Sequence, residues 1–509
     1  MRLLTTVSLL LFSIGLRLCA QTTNMTNMPT RQVSLEESIE LALQHNLDVQ
    51  IERVNPEIAR YNLGIAYADW EPFLSASGTH NFNSTPAGVL AQGIPFPGNR
   101  SESDSFSAGI GGPGVGASGL LPSGLTYSLS GSASDSVFRR LDTNNIVSET
   151  SRGSVLLNLR QPLLKNFWID TTRLNIQVNK KRLKMSELGL QQQIMNVVNN
   201  TALAYYELIF SRENIKVQQA AMDLADRLVA ENKKRVQIGT LAPLDEKQAE
   251  SQAASSKADL LAAQNAAATQ ENVLKGLLTD QYTSLHGTKL VPTEELTAPI
   301  PVLNLKASWA KGLTQRPDLL QSRIDLQRLD IVLRYTYNQL FPELDLIGSY
   351  GFTGSGKEFS GALGQIAEGS GPNYSFGASL TIPLGNRAAR GNYKITKEQK
   401  KLALLQLKKQ EQTILVQIDD AVKQVQNAFE RVDATRQARA YAETALDAEQ
   451  KKLESGKSTS FQVLQFQRDL TARRSEEIRA LADFNKALSQ LYFLEGSILD
   501  RNHVHVEVK

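Results

Sequence analysis

The stretch from Ile194 to Gly239, IMNVVNNTALAYYELIFSRENIKVQQAAMDLADRLVAENKKRVQIG, decides the fold because its apolar residues recur every seven positions. The recurring positions are Ile194, Leu208, Ile215, Met222, Val229 and Val236, and Thr201 interrupts them. Seven-residue spacing places apolar side chains along one seam of a coiled-coil helix. Gly239 then ends the pattern, as a glycine that follows a helix commonly does. The stretch predicts one very long helix.

This helix is predicted to be one arm of a hairpin. Extended upstream to Asn175 it has about 64 residues and is roughly 96 Å long, far longer than a globular domain allows. Pro243 restarts the chain, and an Ala-rich segment repeats apolar residues at the same spacing as far as Leu274. We therefore predict a long helix over 168–238, a tip at 239–243 and a return helix over 244–279.

The chain contains this unit twice. Pro72 aligns with Pro342 and Gly78 with Gly348 at one constant offset, and a second constant offset aligns Gly239 with Gly456. The first repeat is 21–282, with helices in 34–68 and a strand region at 73–162. A proline-bearing connector, 283–304, is expected to wrap outside the helices. The second repeat is 305–496, with helices at 305–339, strands at 343–383, a long helix at 388–455, a tip at 456–460 and a return helix at 461–495. A tail, 497–509, follows.

The segments between the helices alternate with period two, which is the strand signal. From Tyr374 to Ile382, apolar residues alternate with serine, glycine and threonine. Strands of about ten residues with one apolar face are typical of transmembrane β-barrels, although half-exposed soluble sheets alternate too. The first strand region is much longer than the second and rich in glycine and serine. We expect four membrane strands per chain, with residues 84–151 as a partly stranded excursion, and an inserted extra hairpin as the alternative.

The first twenty residues are typical of a secretory signal. Arg2 supplies a positive charge, residues 3–16 are mostly apolar, and the small residue Ala20 precedes the predicted cleavage site. Cys19 offers lipidation as an alternative, although Leu18 is bulky where a lipoprotein signal has a small residue. Cys19 is the one cysteine of the chain. Cleavage after Ala20 leaves no thiol, so packing or assembly must stabilise the mature chain.

Charge and hydropathy exclude two classes of protein. The formal net charge is +3, and the basic runs at 180–182 and 233–235 are expected on solvated helix faces, which argues against a nucleic-acid partner. After the signal, no run of about 18 apolar residues occurs, so a helical membrane span is not predicted.

The order of the elements resembles the TolC family of outer-membrane efflux proteins. The resemblance covers about residues 34–496 and includes prolines at strand boundaries and the turns Gln237-Ile238-Gly239-Thr240 and Glu454-Ser455-Gly456-Lys457. It implies an α+β membrane protein in which long coiled-coil helical hairpins form a periplasmic α-barrel. The strands contribute to a trimeric transmembrane β-barrel, and each chain carries two internal structural repeats.

The resemblance also implies location and partners. It implies a homotrimer in the outer membrane of a Gram-negative bacterium, in contact with outer-membrane lipid, a periplasmic adaptor (membrane-fusion) protein and an inner-membrane pump. Such a duct passes solutes in efflux or type I secretion, and the pump selects the cargo. Oligomerisation also follows from physics, since four to six strands cannot close a barrel. The alternative is a periplasmic or surface coiled-coil protein without a pore, which explains the heptads and the signal but not the strands.

Two sets of site residues follow from the resemblance. The adaptor is expected to contact the tips, at Gly239, Thr240, Leu241, Gly456, Lys457 and Ser458. The tunnel constriction is expected at Asp245, Gln462 and Gln465. Relatives carry acids at the two glutamine positions and a basic latch partner where Ser458 stands, so this chain is predicted to lack both the acidic ring and the salt-bridge latch. Asp245 is then expected mainly as a charge at a helix N-terminus.

No catalytic, cofactor or metal site is predicted. Residues 109–114 satisfy GxGxxG, but Pro113 breaks the motif and a turn follows instead of a helix. His503 and His505 lie in a polar tail without further ligands, and such tails are seldom metal sites. The chain is therefore not expected to be an enzyme.

Overall fold

The structure is a computed structural model that describes residues 29–89, 92–111, 119–141 and 146–504. The predicted signal, Cys19, residues 112–114 of the glycine motif and His505 lie outside these residues. The helices are α1 Leu35–His45, α2 Leu47–Tyr67, α3 Thr171–Gln237, α4 Pro243–Leu278, α5 Leu305–Gln315, α6 Pro317–Asn338, α7 Phe359–Ala367, α8 Arg387–Glu454 and α9 Ser460–Glu495. The strands are β1 Thr30–Val33, β2 Phe73–Thr85, β3 Gly98–Gly111, β4 Thr126–Leu141, β5 Val147–Pro162, β6 Lys289–Pro292, β7 Glu343–Gly356 and β8 Pro372–Thr381. Shorter pieces are helical at Ala68–Trp70, Tyr282–Leu285 and Ile498–Arg501 and extended at Gly88–Val89, Pro95–Phe96 and Gly119–Leu120.

The two long helices and the helices beside them form a single layer. Next to the sheet, α2, α3, α6 and α8 lie side by side in that order, and at the far end the order is α4, α3, α9 and α8. The side chain of Asn46, at the start of α2, donates to the carbonyl of Leu277 near the end of α4 at 3.2 Å. The short helices therefore follow one another end to end along the two long ones, α3 and α8.

The heptad residues of α8 are buried between neighbouring helices, whereas those of α3 are buried at Ile194 and Leu208 and half-buried from Ile215 to Val236. Ile194 and Leu208 of α3 belong to one apolar cluster, and Ile418 and Val425 of α8 belong to a second. The prediction of long coiled-coil helices from seven-residue spacing agrees with this packing. Burial along one seam stabilises a helix of this length, since helix propensity alone is insufficient.

One sheet carries six strands on a continuous path, in the order β8-β7-β5-β4-β3-β2. Neighbouring strands are antiparallel, and β3 pairs with β2 and with β4 over almost its whole length. The sheet therefore has six strands where four were expected, and the segment 84–151, expected as a partly stranded excursion, supplies β3 and β4, as in the alternative of an extra hairpin. The family resemblance favoured four strands, and glycine is depleted in ordinary strands, whereas here alternating serines form one face of the extra hairpin.

A small subdomain lies beside the middle of the helical layer. β1 and β6 form a parallel pair, and α1 and α5 pack on the long helices nearby. Tyr205 of α3 is fully buried and its hydroxyl donates to the carbonyl of Val33 at 3.1 Å. Part of the predicted connector, 289–292, is thus a strand, because its backbone pairs with the N-terminal segment.

Candidate duct and its helical tips

The two faces of the sheet differ in chemistry. One row across all six strands is apolar: Leu74, Ile110, Leu129, Leu157, Tyr350 and Tyr374. Rows displaced by an odd number of residues point to the other side, because side chains alternate along a strand. One such row carries hydroxyls on five strands: Ser77, Ser107, Ser132, Ser154 and Thr353.

Hydroxyl groups on this second face pair across strands. Ser77 and Ser107 lie 2.8 Å apart, Ser132 and Ser154 2.7 Å, and Ser349 and Ser375 2.7 Å, all between side-chain oxygens. Such pairs stabilise a sheet without adding charge. We call this surface, with its regular rows of serine and threonine, the hydroxyl face.

A charged cluster lies on the hydroxyl face where the sheet meets the helices. Arg160 of β5 donates from Nε to Asp345 at 2.9 Å and also contacts Glu343, and Lys165 lies 3.6 Å from Glu343. These contacts join the first repeat to the second. Glu343 also borders a cavity of about 400 Å³ that includes Ala388 and Asn392 of α8. The hydroxyl face is thus continuous with one face of the helical layer.

The two tips have nearly identical geometry. Gly239 has φ +76° and Gly456 φ +70°, a left-handed conformation that glycine adopts at least cost. The N–H of Thr240 donates to the carbonyl of Arg235 at 2.9 Å, and the N–H of Lys457 donates to that of Lys452 at 2.8 Å. Both turns are therefore Schellman caps.

The tip residues differ in how exposed their side chains are. Gly239, Thr240, Gly456 and Lys457 are exposed, whereas Leu241 and Ser458 are half-buried. The hydroxyl of Ser458 donates to Glu449 of α8, whose other oxygen lies 3.0 Å from Lys452 Nζ. The Ser458 hydrogen bond and then the Lys452 contacts lower the pKa of Glu449. Ser458 thus braces its own hairpin in this structure.

The predicted constriction residues lie beside polar contacts that join the two hairpins. Gln462 and Gln465 are exposed on α9, and Asp245 lies in the first turn of α4. Asn232 of α3, 1% exposed, donates to the backbone carbonyl of Asp245 at 3.3 Å and accepts from Ser460 of α9 at 3.1 Å. The hairpins are therefore linked at the tip end by a buried amide.

Further along the hairpins, Arg468 of α9 donates to the side chain of Gln252 in α4. The sequence reasoning did not identify this contact or Asn232. Asn232 carried a usable signal, since it stands four residues before Val236 on the apolar seam, where a polar residue is unusual.

The described residues contain no group of three or more His, Cys, Asp or Glu able to hold a metal ion. No helix among them is long and apolar enough to cross a membrane.

Comparison with known proteins decides the family. A family model described as outer membrane efflux protein matches residues 114–279 and 311–497, more than half of the chain. The chain belongs to the outer membrane efflux protein family. The resemblance inferred from the sequence is confirmed, and so is the location in the outer membrane with a long periplasmic extension. This is a family of channel proteins, which supports a non-catalytic role.

Individual relatives of this efflux protein are distant in sequence. The outer membrane efflux protein BepC of Brucella suis is 24% identical over 337 residues, which cover 65% of this chain and 69% of BepC. The Campylobacter jejuni CmeC outer membrane channel has a TM-score of 0.63 and 17% identity, covering 91% of this chain and 86% of CmeC. VceC of Vibrio cholerae has a TM-score of 0.64 and 18% identity, covering 91% and 96%. These structures share the fold.

Proposed function

We propose that this efflux protein is the outer-membrane duct of a tripartite system, closed into a ring by three copies, with the hydroxyl face lining the lumen. The observation that carries the proposal is that both layers of the chain end in open edges on the same two sides. α2 and β2 form one side, and α8 and β8 form the other. A copy placed beside the first can continue both layers, and repetition closes the ring.

The helix edges have matching apolar stripes. The stripe on α2 is exposed and follows helical spacing: Leu47, Ile51, Val54, Ile58, Tyr61 and Ile65. The exposed stripe on α8 contains Ile395, Leu402, Leu405 and Val416. An exposed stripe of this length is the pattern of a coiled-coil seam without its partner.

The strand edges lead to the same expectation. Every residue of β8 is exposed, and so are all residues of β2 except Thr85. Both strands are the ends of the six-strand path, so each presents an unpaired row of backbone groups. Pairing between β8 of one copy and β2 of the next removes both open edges. An open edge strand would otherwise be free to pair with other chains and would need to be covered.

Dimensions support six strands per copy. Six strands about 4.8 Å apart and tilted by about 40° span an arc of roughly 38 Å. Four helices packed at about 9.5 Å also span roughly 38 Å. The sheet and the helical layer therefore match in width, and three copies form an eighteen-stranded barrel of roughly 18 Å radius on a twelve-helix tunnel. The copy number of three is an inference from the family.

Cysteine cross-linking tests ring closure. Ile58→Cys on α2 and Ile395→Cys on α8 are expected to form disulfides between copies, giving a ladder up to a covalent trimer on non-reducing gels. The matched control pairs Ile58→Cys with Tyr441→Cys, which is exposed on α8 but about 69 Å further along the helix. Equal cross-linking of the two pairs, or none with the first, contradicts the proposed neighbour.

We further propose that the tips receive a periplasmic adaptor, which couples the duct to an inner-membrane pump. The glycine caps by themselves explain why the chain turns at the tips. The proposed contact with the adaptor rests instead on the exposure of Thr240 and Lys457. Thr240→Glu with Lys457→Glu is expected to abolish transport while trimers remain in the outer membrane. Ser458 is left unchanged because its hydroxyl braces Glu449. Normal transport by this variant refutes the contact.

A further inference from the structure

A stripe of basic side chains runs along one face of α8. Its members are Arg387, Arg390, Lys394, Lys397, Lys401 and Lys408, all exposed. Steps of three, four and seven residues keep them on one side of a helix. Within the described part of the chain, none of the six forms an ion pair, whereas Lys400 on the adjoining face pairs with Asp330 at 2.5 Å. We call this set the basic stripe.

The basic stripe lies on the side of α8 that faces away from the hydroxyl face of the sheet. The backbone carbonyl of Leu415, seven residues after Lys408, accepts a hydrogen bond from the indole N–H of Trp309 in α5 at 3.2 Å, so α5 packs near this part of α8. The other side of α8 carries Ala388 and Asn392, which line the cavity next to the hydroxyl face. The basic stripe therefore shares its side with the apolar face of the sheet.

The stripe begins where the apolar sheet face ends. After β8, Ile382 is 57% exposed and Leu384 is 98% exposed, and Arg387 follows three residues later. At 1.5 Å per residue, Arg390 and Lys394 lie within roughly 11 Å of this boundary, whereas Lys401 and Lys408 lie roughly 21 and 32 Å away. Arg387, Arg390 and Lys394 therefore lie close to the end of the apolar sheet face, whereas Lys401 and Lys408 lie well away from it.

Helix stability does not explain these charges. Cations at a helix N-terminus are disfavoured by the macrodipole, and the first turn of α8 contains no acidic residue. An external anion at this boundary would offset the repulsion.

We propose that Arg387, Arg390 and Lys394 form a binding site for anionic phospholipid headgroups of the periplasmic leaflet of the outer membrane. Guanidinium and ammonium groups bind phosphate oxygens through charge-assisted hydrogen bonds, and Ile382 and Leu384 lie next to the acyl chains. The site rests on the outer-membrane placement of the sheet and does not require ring closure.

The test uses protein reconstituted in phosphatidylcholine vesicles with increasing fractions of brominated phosphatidylglycerol. A Leu384→Trp reporter, three residues before Arg387, measures quenching, and the signal of the parent without the reporter is subtracted. Arg387→Gln with Arg390→Gln and Lys394→Gln is expected to lower the preference for the anionic lipid by at least about tenfold. Each basic side chain near an anionic surface contributes about fivefold.

The matched control removes the same charge further along α8: Lys401→Gln, Lys408→Gln and Lys409→Gln. It is expected to keep the preference of the parent. Equal loss in both triple variants, or no preference in the parent, overturns the proposal. If the glutamine variant does not fold, Arg387→Lys with Arg390→Lys serves as a second test. This variant keeps the charge and is expected to retain most of the preference for the anionic lipid. A lower trimer content of the glutamine variant in detergent without lipid would instead assign these residues to contacts between copies.

Discussion

The inserted hairpin β3–β4 should set the width of the membrane barrel, and deleting it is the sharpest test. Residues 86–145 are replaced by Asn-Gly, which joins Thr85 to Ile146 through a tight turn. The register allows this change, because Leu74 and Leu157 lie in the same row across the removed strands. The apolar and hydroxyl faces of β2 and β5 therefore stay in phase.

The expected change in size follows from the strand number. Each copy then contributes four strands and an arc of roughly 25 Å instead of roughly 38 Å. For three copies, the barrel radius falls from roughly 18 to roughly 12 Å. The helical ring keeps its radius of roughly 18 Å, so the deletion variant must narrow sharply where the sheet meets the helices.

Two measurements check this prediction. Electron cryo-microscopy in lipid nanodiscs should count eighteen strands in the parent and twelve in the variant. Polyethylene glycols added from the extracellular side should be excluded from the variant at a smaller polymer size, as read from single-channel conductance. A parent barrel of twelve strands, or an unchanged polymer cutoff after deletion, refutes the argument that β3 and β4 are strands of the membrane barrel.

Three further outcomes are expected. Asn232→Ala removes the buried amide that links the hairpins, so planar-bilayer conductance through the tip end should rise while Asn232→Gln has a smaller effect. Tyr205→Phe removes one of the two hydrogen bonds to the carbonyl of Val33, which also accepts from the N–H of Thr293, and should lower the free energy of unfolding by about 1 kcal/mol, measured by chemical denaturation. The parent should show little block by trivalent cations from the periplasmic side, and Gln462→Asp with Gln465→Asp should create block by supplying carboxylates at the throat. Strong block of the parent would show that other acids line the constriction.

Heptad spacing made the long helices predictable, because one apolar seam is a local property of sequence. Ile194 to Val236 and the matching positions before Gly456 identify the helix and its end without any long-range contact. The Schellman caps at the tips follow from the same local chemistry, since glycine supplies the left-handed residue. The duplicated order of elements was then sufficient to indicate the family.

The sequence could not assign the glycine- and serine-rich segment, whose conformation depends on partners far along the chain. β3 is a strand because β2 and β4 pair with it on both sides, and alternating serines acquire a role only when a hydroxyl face exists. Amino-acid composition indicates only the average strand propensity of a segment. Pairing with neighbouring strands that are distant in sequence can override that propensity.

The local pattern of residues determined the helices, the turns, the repeat and the family of this protein. Tertiary structure alone decided that six strands share one sheet, that Asn232 links the two hairpins, and that the basic side chains of α8 lie on the face of the helix away from the cavity beside the hydroxyl face. The physical reason is the range of the interactions. Helix periodicity and caps depend on residues within a few positions, whereas strand pairing, buried amides and the sidedness of a helix depend on which distant segments lie beside them.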